Sequence, residues 1–256
     1  MSAVGSLCMS AALFVSAGQS NEVGYKVSAD QFPREIIAPN PHVFMFDPAT
    51  GQKVLLQAGV NTGTPNQPTA VGPEVAFAYR WSQLHPGQDL VFVKVARGET
   101  GLEKDPSRPD WSPDSRGELF DQTAAAIKQA ESALNVKLSG VLWMQGEEDA
   151  SRASAAKAYE ANLRLAFRRM RRDWGDSATP IVFGRISATA GLPFAGAVRA
   201  AQDRVARADR LAIEVSTDGF AVQEDRLHYS AAGQVSLGFA FHDAWRRASA
   251  PATGAR

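Results

Sequence analysis

The chain has 256 residues, of which 45% are hydrophobic and 21% are charged, a composition typical of a globular protein with a sizeable core. Its 27 basic and 27 acidic side chains give a formal net charge of zero, which argues against nucleic acid or an anionic membrane surface as a general partner. The one cysteine, Cys8, excludes an intramolecular disulfide.

The chain begins with a small, apolar segment. Residues 1–17 resemble a secretory leader but lack its basic beginning, and cleavage near Ala17 would remove the segment before Ser20. We therefore predict that Ala11–Ala17 is the first core strand. The compartment stays open: cytoplasmic, or exported by a leader upstream of Met1. No run approaches the ~18 apolar residues of a membrane-spanning helix, so no membrane partner is expected.

Five near-continuous apolar runs predict a parallel sheet, because parallel strands are covered on both faces. In chain order they are Ala11–Ala17, Leu90–Ala96, Gly140–Met144, Pro180–Ile186 and Leu211–Val215. Helical patterns occupy Val75–Leu84, Glu118–Val136, Ala153–Trp174, Pro193–Ala208 and Ala231–Ala248. This alternation predicts a three-layer α/β/α sandwich with a five-stranded sheet. We expect one domain over residues 1–256, with its core at 11–248 and a frayed tail at 249–256.

Two proline-rich stretches, residues 21–71 and 99–117, interrupt the alternation. The first holds a candidate β-hairpin, in which Val43–Phe46 and Lys53–Gln57 flank the turn sequence Asp47–Gly51. Both stretches leave the carboxyl ends of predicted strands, where loops build functional sites. We therefore expect them near the site.

Ser20 is the first candidate for catalysis. It follows the first predicted strand, in Gly18-Gln19-Ser20-Asn21, at the strand end where ligands of α/β sheets bind. A serine nucleophile needs a base, and Asp225 and His228 offer a carboxylate and an imidazole three residues apart. The alternative is a helix-capping loop with an incidental histidine. Structural roles are favoured for the other histidines, His42, His85 and His242.

Ester hydrolysis by serine also requires hydrogen-bond donors for the developing oxyanion. Gln145, after the predicted strand Gly140–Met144, offers an uncharged amide. Gly72 offers its backbone N–H, since Pro73 suits the first position of the following helix. Both are candidates for the oxyanion hole.

Four sequence blocks resemble, in order, those of the SGNH-hydrolase superfamily, and within it the sialate O-acetylesterase-like (SASA) domain and the carbohydrate esterase family 6 acetylesterases. The blocks are Ala17–Asn21, Gly72–Glu74, Leu142–Asp149 and Asp225–Ser230, and the loop Lys94–Thr100 is also similar. The resemblance covers about residues 13–245. It implies a flavodoxin-like fold and a serine esterase that deacetylates carbohydrate without a metal or organic cofactor.

The resemblance also implies a role for each matching residue. Ser20 is implied to be the nucleophile, His228 the general base and acid, and Asp225 the residue that orients it. The implied oxyanion donors are the N–H groups of Ser20 and Gly72 and the amide of Gln145. The implied supporting residues are Gly18, Gln19, Asn21 and Glu147, and for Glu147 we expect a buried structural carboxylate.

Three carboxylates depart from the family pattern. Glu22, Glu99 and Glu148 stand where a methionine, a glycine and a small residue are frequent. These carboxylates would either repel acidic sugars or lie in solvent at the rim of the site. We favour the second interpretation. The sequence identifies neither the sugar nor the position of the acetyl group.

Two other functions fit the same residues. A broader lipase or thioesterase of the superfamily would differ in the size of its acyl pocket. A carbohydrate-binding module without turnover is disfavoured, because Ser20, Gln145, Asp225 and His228 are all present. The arginines of residues 164–172 are interpreted as a solvated helix face and not as a nucleic-acid site, given the balanced charge. The expected partner is acetylated carbohydrate, and the oligomeric state stays open.

Overall fold

The computed structural model describes residues 10–249. Seven strands form one sheet in the order β3-β2-β4-β1-β5-β6-β7. They are β1 Ala12–Gly18, β2 Val43–Asp47, β3 Gln52–Leu55, β4 Leu90–Ala96, β5 Leu138–Met144, β6 Ile181–Arg185 and β7 Ala212–Ser216. Neighbouring strands are parallel apart from β2 and β3, which are antiparallel. The sheet is therefore mostly parallel, as expected.

Helices cover both faces of this sheet. They are α1 Ser20–Val23, α2 Arg34–Ile37, α3 Glu74–Leu84, α4 Leu119–Leu134, α5 Ala153–Asp173, α6 Ala195–Ala208 and α7 Ala231–Ser249. On one face, Phe14 of β1 packs against Trp81 of α3 and Trp245 of α7. On the other face, Phe183 of β6 packs against Phe167 of α5. The predicted α/β/α layering is confirmed.

The expected sheet of five strands is wrong, because the predicted hairpin joins it. Val43–Met45 of β2 pair in parallel with Leu90–Phe92 of β4, and β3 pairs with β2. Val43 and Met45 are buried in the core. An unpaired edge of β4 would leave backbone N–H and C=O groups without partners, and β2 supplies those partners.

The five predicted helices lie within two residues of their expected ends. Four of the five arginines of α5 form ion pairs within the protein, among them Arg171 with Asp209 and Arg164 with Glu160, and Arg168 is exposed. Cys8 and residues 250–256 of the predicted tail lie outside the described residues. Within residues 10–249, no helix is both long and apolar enough to cross a membrane.

The central position of β1 determines where the site forms. Every residue from Ala12 to Gly18 is buried, and β1 pairs with β4 on one side and β5 on the other. The carboxyl ends of these three parallel strands therefore lie side by side. The turn after β1 is flanked by the loops that follow β4 and β5.

Candidate active site

Ser20 lies where β1 turns into α1. Gly18 has a φ of 147°, and a Cβ at this position would lie 2.1 Å from the Met144 carbonyl oxygen of β5, so the turn requires glycine. The Gln19 N–H donates to that oxygen at 2.8 Å, and Gln19 Oε1 accepts the Gly146 N–H at 3.1 Å. Ser20 begins α1, so its own N–H has no acceptor within the helix.

Ser20, His228 and Asp225 form one chain of hydrogen bonds. His228 Nε2 lies 3.0 Å from Ser20 Oγ, and His228 Nδ1 lies 2.7 Å from Asp225 Oδ2. Asp225 Oδ1 also accepts the N–H groups of Leu227 and His228, each at 2.9 Å. Burial opposes ionisation of Asp225, but the hydrogen bonds from His228 and these N–H groups outweigh it and lower its pKa to about 2. At neutral pH the imidazole therefore faces a carboxylate, which favours the tautomer with its proton on Nδ1.

Asn21 joins the Ser20 turn to the loop that carries His228. Its Nδ2 donates to Glu147 Oε1 at 2.6 Å and to the Leu227 carbonyl oxygen at 3.2 Å. Its Oδ1 accepts the Tyr229 N–H at 2.9 Å. Since Asn21 is itself buried, these bonds hold Ser20 and His228 at a fixed separation.

Glu147 is a buried carboxyl group held by this bond from Asn21. Burial raises its pKa to about 7, although the bond from Asn21 opposes the shift. Its second oxygen, Oε2, has no hydrogen-bond partner among the described residues. Glu147 is therefore buried and paired with Asn21, and its supporting role stays a prediction.

Gln145 and Gly72, the two other predicted oxyanion donors, are not among the residues that line the cleft over Ser20, and each has another hydrogen-bond acceptor. The Gln145 amide is fully buried and donates to the Thr100 carbonyl oxygen at 3.2 Å and to Asp149 Oδ2 at 2.5 Å. The Gly72 N–H points to Glu74 Oε1 at 3.4 Å. Gly72 immediately precedes the Pro73–Leu84 segment, whereas the loop beside Ser20 is the one that follows β4.

Gly98 occupies the place beside Ser20 that the sequence pattern predicts for Gly72. The N–H of Arg97, directly after β4, donates to the Gly18 carbonyl oxygen at 3.0 Å. A Cβ on Gly98 would lie 3.5 Å from the Ser20 Cβ, and both residues line the same cleft, so the loop after β4 passes beside the serine. The resemblance of the loop Lys94–Thr100 to a family loop is the sequence signal for this segment, and the strand order β4-β1-β5 places that loop beside Ser20.

A cleft of about 620 Å³ opens over Ser20 and His228. Its apolar wall includes Val23, Tyr25, Leu119, Leu192 and Leu227, and its neutral polar wall includes Thr64, Asn66, Gln67, Gln122 and Ser151. Apolar surface with a few hydroxyl and amide groups suits a small polar organic ligand. The first proline-rich stretch contributes residues 63–67, as expected, and the second contributes Glu99.

The three extra carboxylates have different surroundings. The rim position favoured for Glu22 is wrong, since Glu22 is fully buried beneath the cleft and Ser16 Oγ donates to its Oε1. Burial raises the pKa of Glu22 to about 8. Glu148 lines the cleft but pairs with Arg108 at 2.6 Å. Glu99 lines the cleft and is exposed, so it is the carboxylate that fits the rim.

Residues 10–249 contain no cluster of three or more side chains suited to hold a metal ion.

The mostly parallel sheet with a helical layer on each face is an SGNH-like α/β fold. The family described as carbohydrate esterase, sialic acid-specific acetylesterase, matches residues 10–247. The chain belongs to this family. It is an ester hydrolase of the carbohydrate-acetylesterase type.

Relatives share the fold at low sequence identity. A probable carbohydrate esterase of Arabidopsis thaliana, At4g34215, is 23% identical over 192 residues, which cover 74% of this chain and 68% of the relative. Its crystal structure superposes with a TM-score of 0.78 at 22% identity, covering 92% of this chain and 97% of that one. The crystal structure of NanS superposes with a TM-score of 0.71 at 16% identity, covering 93% of this chain and 97% of NanS. The crystal structure of Axe2, an acetylxylan esterase from Geobacillus stearothermophilus, superposes with a TM-score of 0.55 at 14% identity, covering 96% of this chain and 98% of Axe2.

Proposed function

We propose that the protein is a serine esterase that removes O-acetyl groups from carbohydrate through an acetyl-enzyme intermediate. The observation that carries the proposal is the hydrogen-bond chain from Ser20 through His228 to Asp225 beneath the cleft. Membership of a carbohydrate esterase family supports the substrate class. Axe2, which shares the fold, is an acetylxylan esterase, so acetylated xylan and other acetylated sugars are the first substrates to test.

In the first half-reaction, Ser20 Oγ attacks the acetyl carbonyl carbon while His228 Nε2 takes the hydroxyl proton. The separation of 3.0 Å suits this transfer. The imidazolium keeps its Nδ1 proton on the bond to Asp225, whose negative charge stabilises it. His228 Nε2 then gives its proton to the sugar oxygen, which leaves as an alcohol, and the acetyl group stays on Ser20.

In the second half-reaction, water replaces the sugar. His228 Nε2 takes a proton from the water as its oxygen attacks the acetyl carbonyl carbon. The tetrahedral intermediate collapses, His228 returns the proton to Ser20 Oγ, and the acetyl group leaves as acetic acid, which loses its remaining proton to solvent. The same imidazole therefore acts as base and acid in both halves.

The negative oxygen of each tetrahedral intermediate needs donors near Ser20. We assign this role to the N–H groups of Ser20 and Gly98, in place of the Gly72 and Gln145 groups. The first has no acceptor within α1, and the second belongs to a glycine that lines the cleft together with Ser20. Both would act as fixed dipoles at the edge of the cleft.

Acetate release from p-nitrophenyl acetate and from acetylated xylan tests the proposal. Ser20→Ala is expected to lower turnover by at least ~10³-fold, since an activated nucleophile is lost. Ser236→Ala, on the outer surface of α7, is the matched control and should retain full activity. Unchanged turnover of Ser20→Ala would overturn the nucleophile assignment, and failure of a fluorophosphonate probe to label Ser20 would favour a binding module.

A broader lipase or thioesterase is the alternative, and the leucines of the cleft wall are the observation in its favour. A series of p-nitrophenyl esters from acetate to octanoate separates the two. An acetylesterase should lose activity steeply beyond the shortest chains. Equal turnover of the octanoate ester would identify the broader enzyme.

A further inference from the structure

Tyr25 lies against the face of the His228 imidazole. The two ring centroids are 4.4 Å apart and the ring planes are inclined by 36°. Tyr25 is half-buried and forms part of the cleft wall. The imidazole thus has three neighbours: Asp225 at Nδ1, Ser20 at Nε2 and Tyr25 on its face.

The backbone of Tyr25 is tied to both halves of the site. Its N–H donates to the Ser20 carbonyl oxygen at 3.0 Å, which closes the turn that carries the nucleophile. Its own carbonyl oxygen accepts Gln223 Nε2 at 2.7 Å, and the Gln223 N–H donates to the His228 carbonyl oxygen at 2.7 Å. Gln223 therefore links the backbone of Tyr25 to the backbone of His228.

A tyrosine ring presents negative charge density on its face, which attracts a cation within about 6 Å of the ring centre. In the proposed mechanism His228 becomes an imidazolium each time it takes the Ser20 proton. We propose that Tyr25 is a positioning residue that holds the imidazole plane toward Ser20 and stabilises its protonated form through the ring face. This inference rests on the proposed role of His228 as the base.

The other charged and titratable groups around the imidazole define its electrostatic setting. Asp225 lies on its own loop and accepts its Nδ1–H. Lys26 follows Tyr25 and places its Nζ 5.1 Å from the centre of the Tyr25 ring, but it is exposed, so solvent screens its charge. Glu147 lies behind Asn21, with its Oε1 bonded to that amide. Tyr25 is thus the group that covers the face of the ring.

The test compares Tyr25→Phe, which keeps the aromatic face, with Tyr25→Leu, which keeps apolar cover without it. The kcat and kcat/KM of the full chain are measured from pH 5 to 9 with p-nitrophenyl acetate. Tyr25→Phe should match the wild type within about two-fold. Tyr25→Leu should lower kcat by about 3- to 10-fold and move the acid limb of kcat/KM to lower pH by about 0.5 to 1 unit, since the imidazolium loses its cation–π contact.

Tyr79→Leu is the matched control, because Tyr79 stacks on Phe239 on the α3 and α7 face of the protein. It should leave the pH profile unchanged. A Tyr25→Leu enzyme with a raised KM and an unshifted acid limb would overturn the proposal and indicate sugar stacking instead. Equal profiles of the Phe and Leu variants would also overturn it. Failure of the proposed esterase function would give a different result, because the wild-type protein would then show no turnover that depends on Ser20.

Discussion

Asn21 Nδ2 lies 2.6 Å from Glu147 Oε1, and this bond joins two segments that are 126 residues apart in the chain. Asn21 follows Ser20 directly, and Glu147 lies in the loop after β5. Because Asn21 also bonds to Leu227 and Tyr229, one side chain connects the nucleophile turn with two other loops of the site. The geometry of Ser20 and His228 therefore depends on a residue that touches neither the attacking oxygen nor the imidazole proton.

Asn21→Ala should lower both stability and activity. The change leaves Glu147 buried with neither oxygen paired to a side chain, since its Oε2 already has no partner among the described residues. An unsatisfied buried polar group costs about 1–3 kcal/mol of unfolding free energy. Urea unfolding should show this loss, and kcat should fall more than KM rises. Asn162→Ala, on the partly exposed α5, is the control and should change neither; equal results for the two variants would contradict the role of Asn21.

Gly98→Ala should reduce activity and leave the fold intact. An added Cβ would lie 3.5 Å from the Ser20 Cβ, an ordinary van der Waals distance, so the protein accommodates the methyl group. The methyl group would nevertheless stand over Ser20, where the acetyl group must bind. We expect kcat/KM to fall by at least ~10-fold, with an unchanged melting temperature. Full activity of Gly98→Ala would contradict the placement of the Gly98 Cβ position over the acetyl site.

Gly72→Ala should show the reverse pattern. An added Cβ would lie 2.5 Å from the Glu22 carbonyl oxygen and from Glu74 Oε2, and 2.8 Å from Lys94 Nζ. Overpacking of this kind typically costs about 1–3 kcal/mol, so thermal unfolding should begin at lower temperature. Activity per folded molecule should change less than in Gly98→Ala. A stable Gly72→Ala enzyme without activity would return Gly72 to the oxyanion hole.

Asp225→Asn should lower kcat by about 10²–10⁴-fold, because an amide neither holds the Nδ1–H tautomer nor stabilises the imidazolium. The pKa of Asp225 is lowered to about 2, so the interactions that favour its carboxylate are present above the usual pKa of 3.8 and are lost only as pH falls toward 2. The loss of kcat in Asp225→Asn should therefore be similar at every pH from 5 to 9. A deficit that vanished at one end of this range would contradict a carboxylate role.

Glu22→Gln should flatten the pH dependence of stability. The pKa of Glu22 is raised from 4.5 to about 8 by burial, so its contribution to stability is fully present below pH 4.5 and is lost as pH rises through 8. The shift corresponds to a change in unfolding free energy on the order of a few kcal/mol. The introduced amide cannot ionise, but its oxygen can still accept the hydrogen bond from Ser16.

Melting temperatures measured between pH 5 and 9 test whether the contribution of Glu22 to stability falls as pH rises. The wild type should lose more stability with rising pH than Glu22→Gln, and exposed Glu35→Gln is the matched control, which should follow the wild type. Some slope should remain in every variant, because burial also raises the pKa of Glu147 to about 7. Parallel curves for Glu22→Gln and the wild type would show that Glu22 is ionised in the folded protein.

Local patterns were sufficient for the strands, the five long helices and the catalytic candidates, but not for the short helices α1 and α2. An apolar run ending in Gly18-Gln19-Ser20-Asn21 places a serine at a strand end, and Asp225 and His228 are close enough in sequence to pair on one loop. The structure brings these three side chains into hydrogen-bond contact. Their roles in catalysis stay a prediction that the variants above test.

The remaining features depended on strand order and burial. Only the order β4-β1-β5 places Gly98, and not Gly72, beside Ser20. The pairing of β2 with β4 makes the sheet seven-stranded, and the packing around Ser16 places Glu22 in the interior. The sequence by itself determined which segments form strands and which side chains can do acyl chemistry, because both follow from contacts within a few residues. Tertiary structure decided which donors meet the serine and which carboxyl groups are buried, because those contacts join segments distant in the chain.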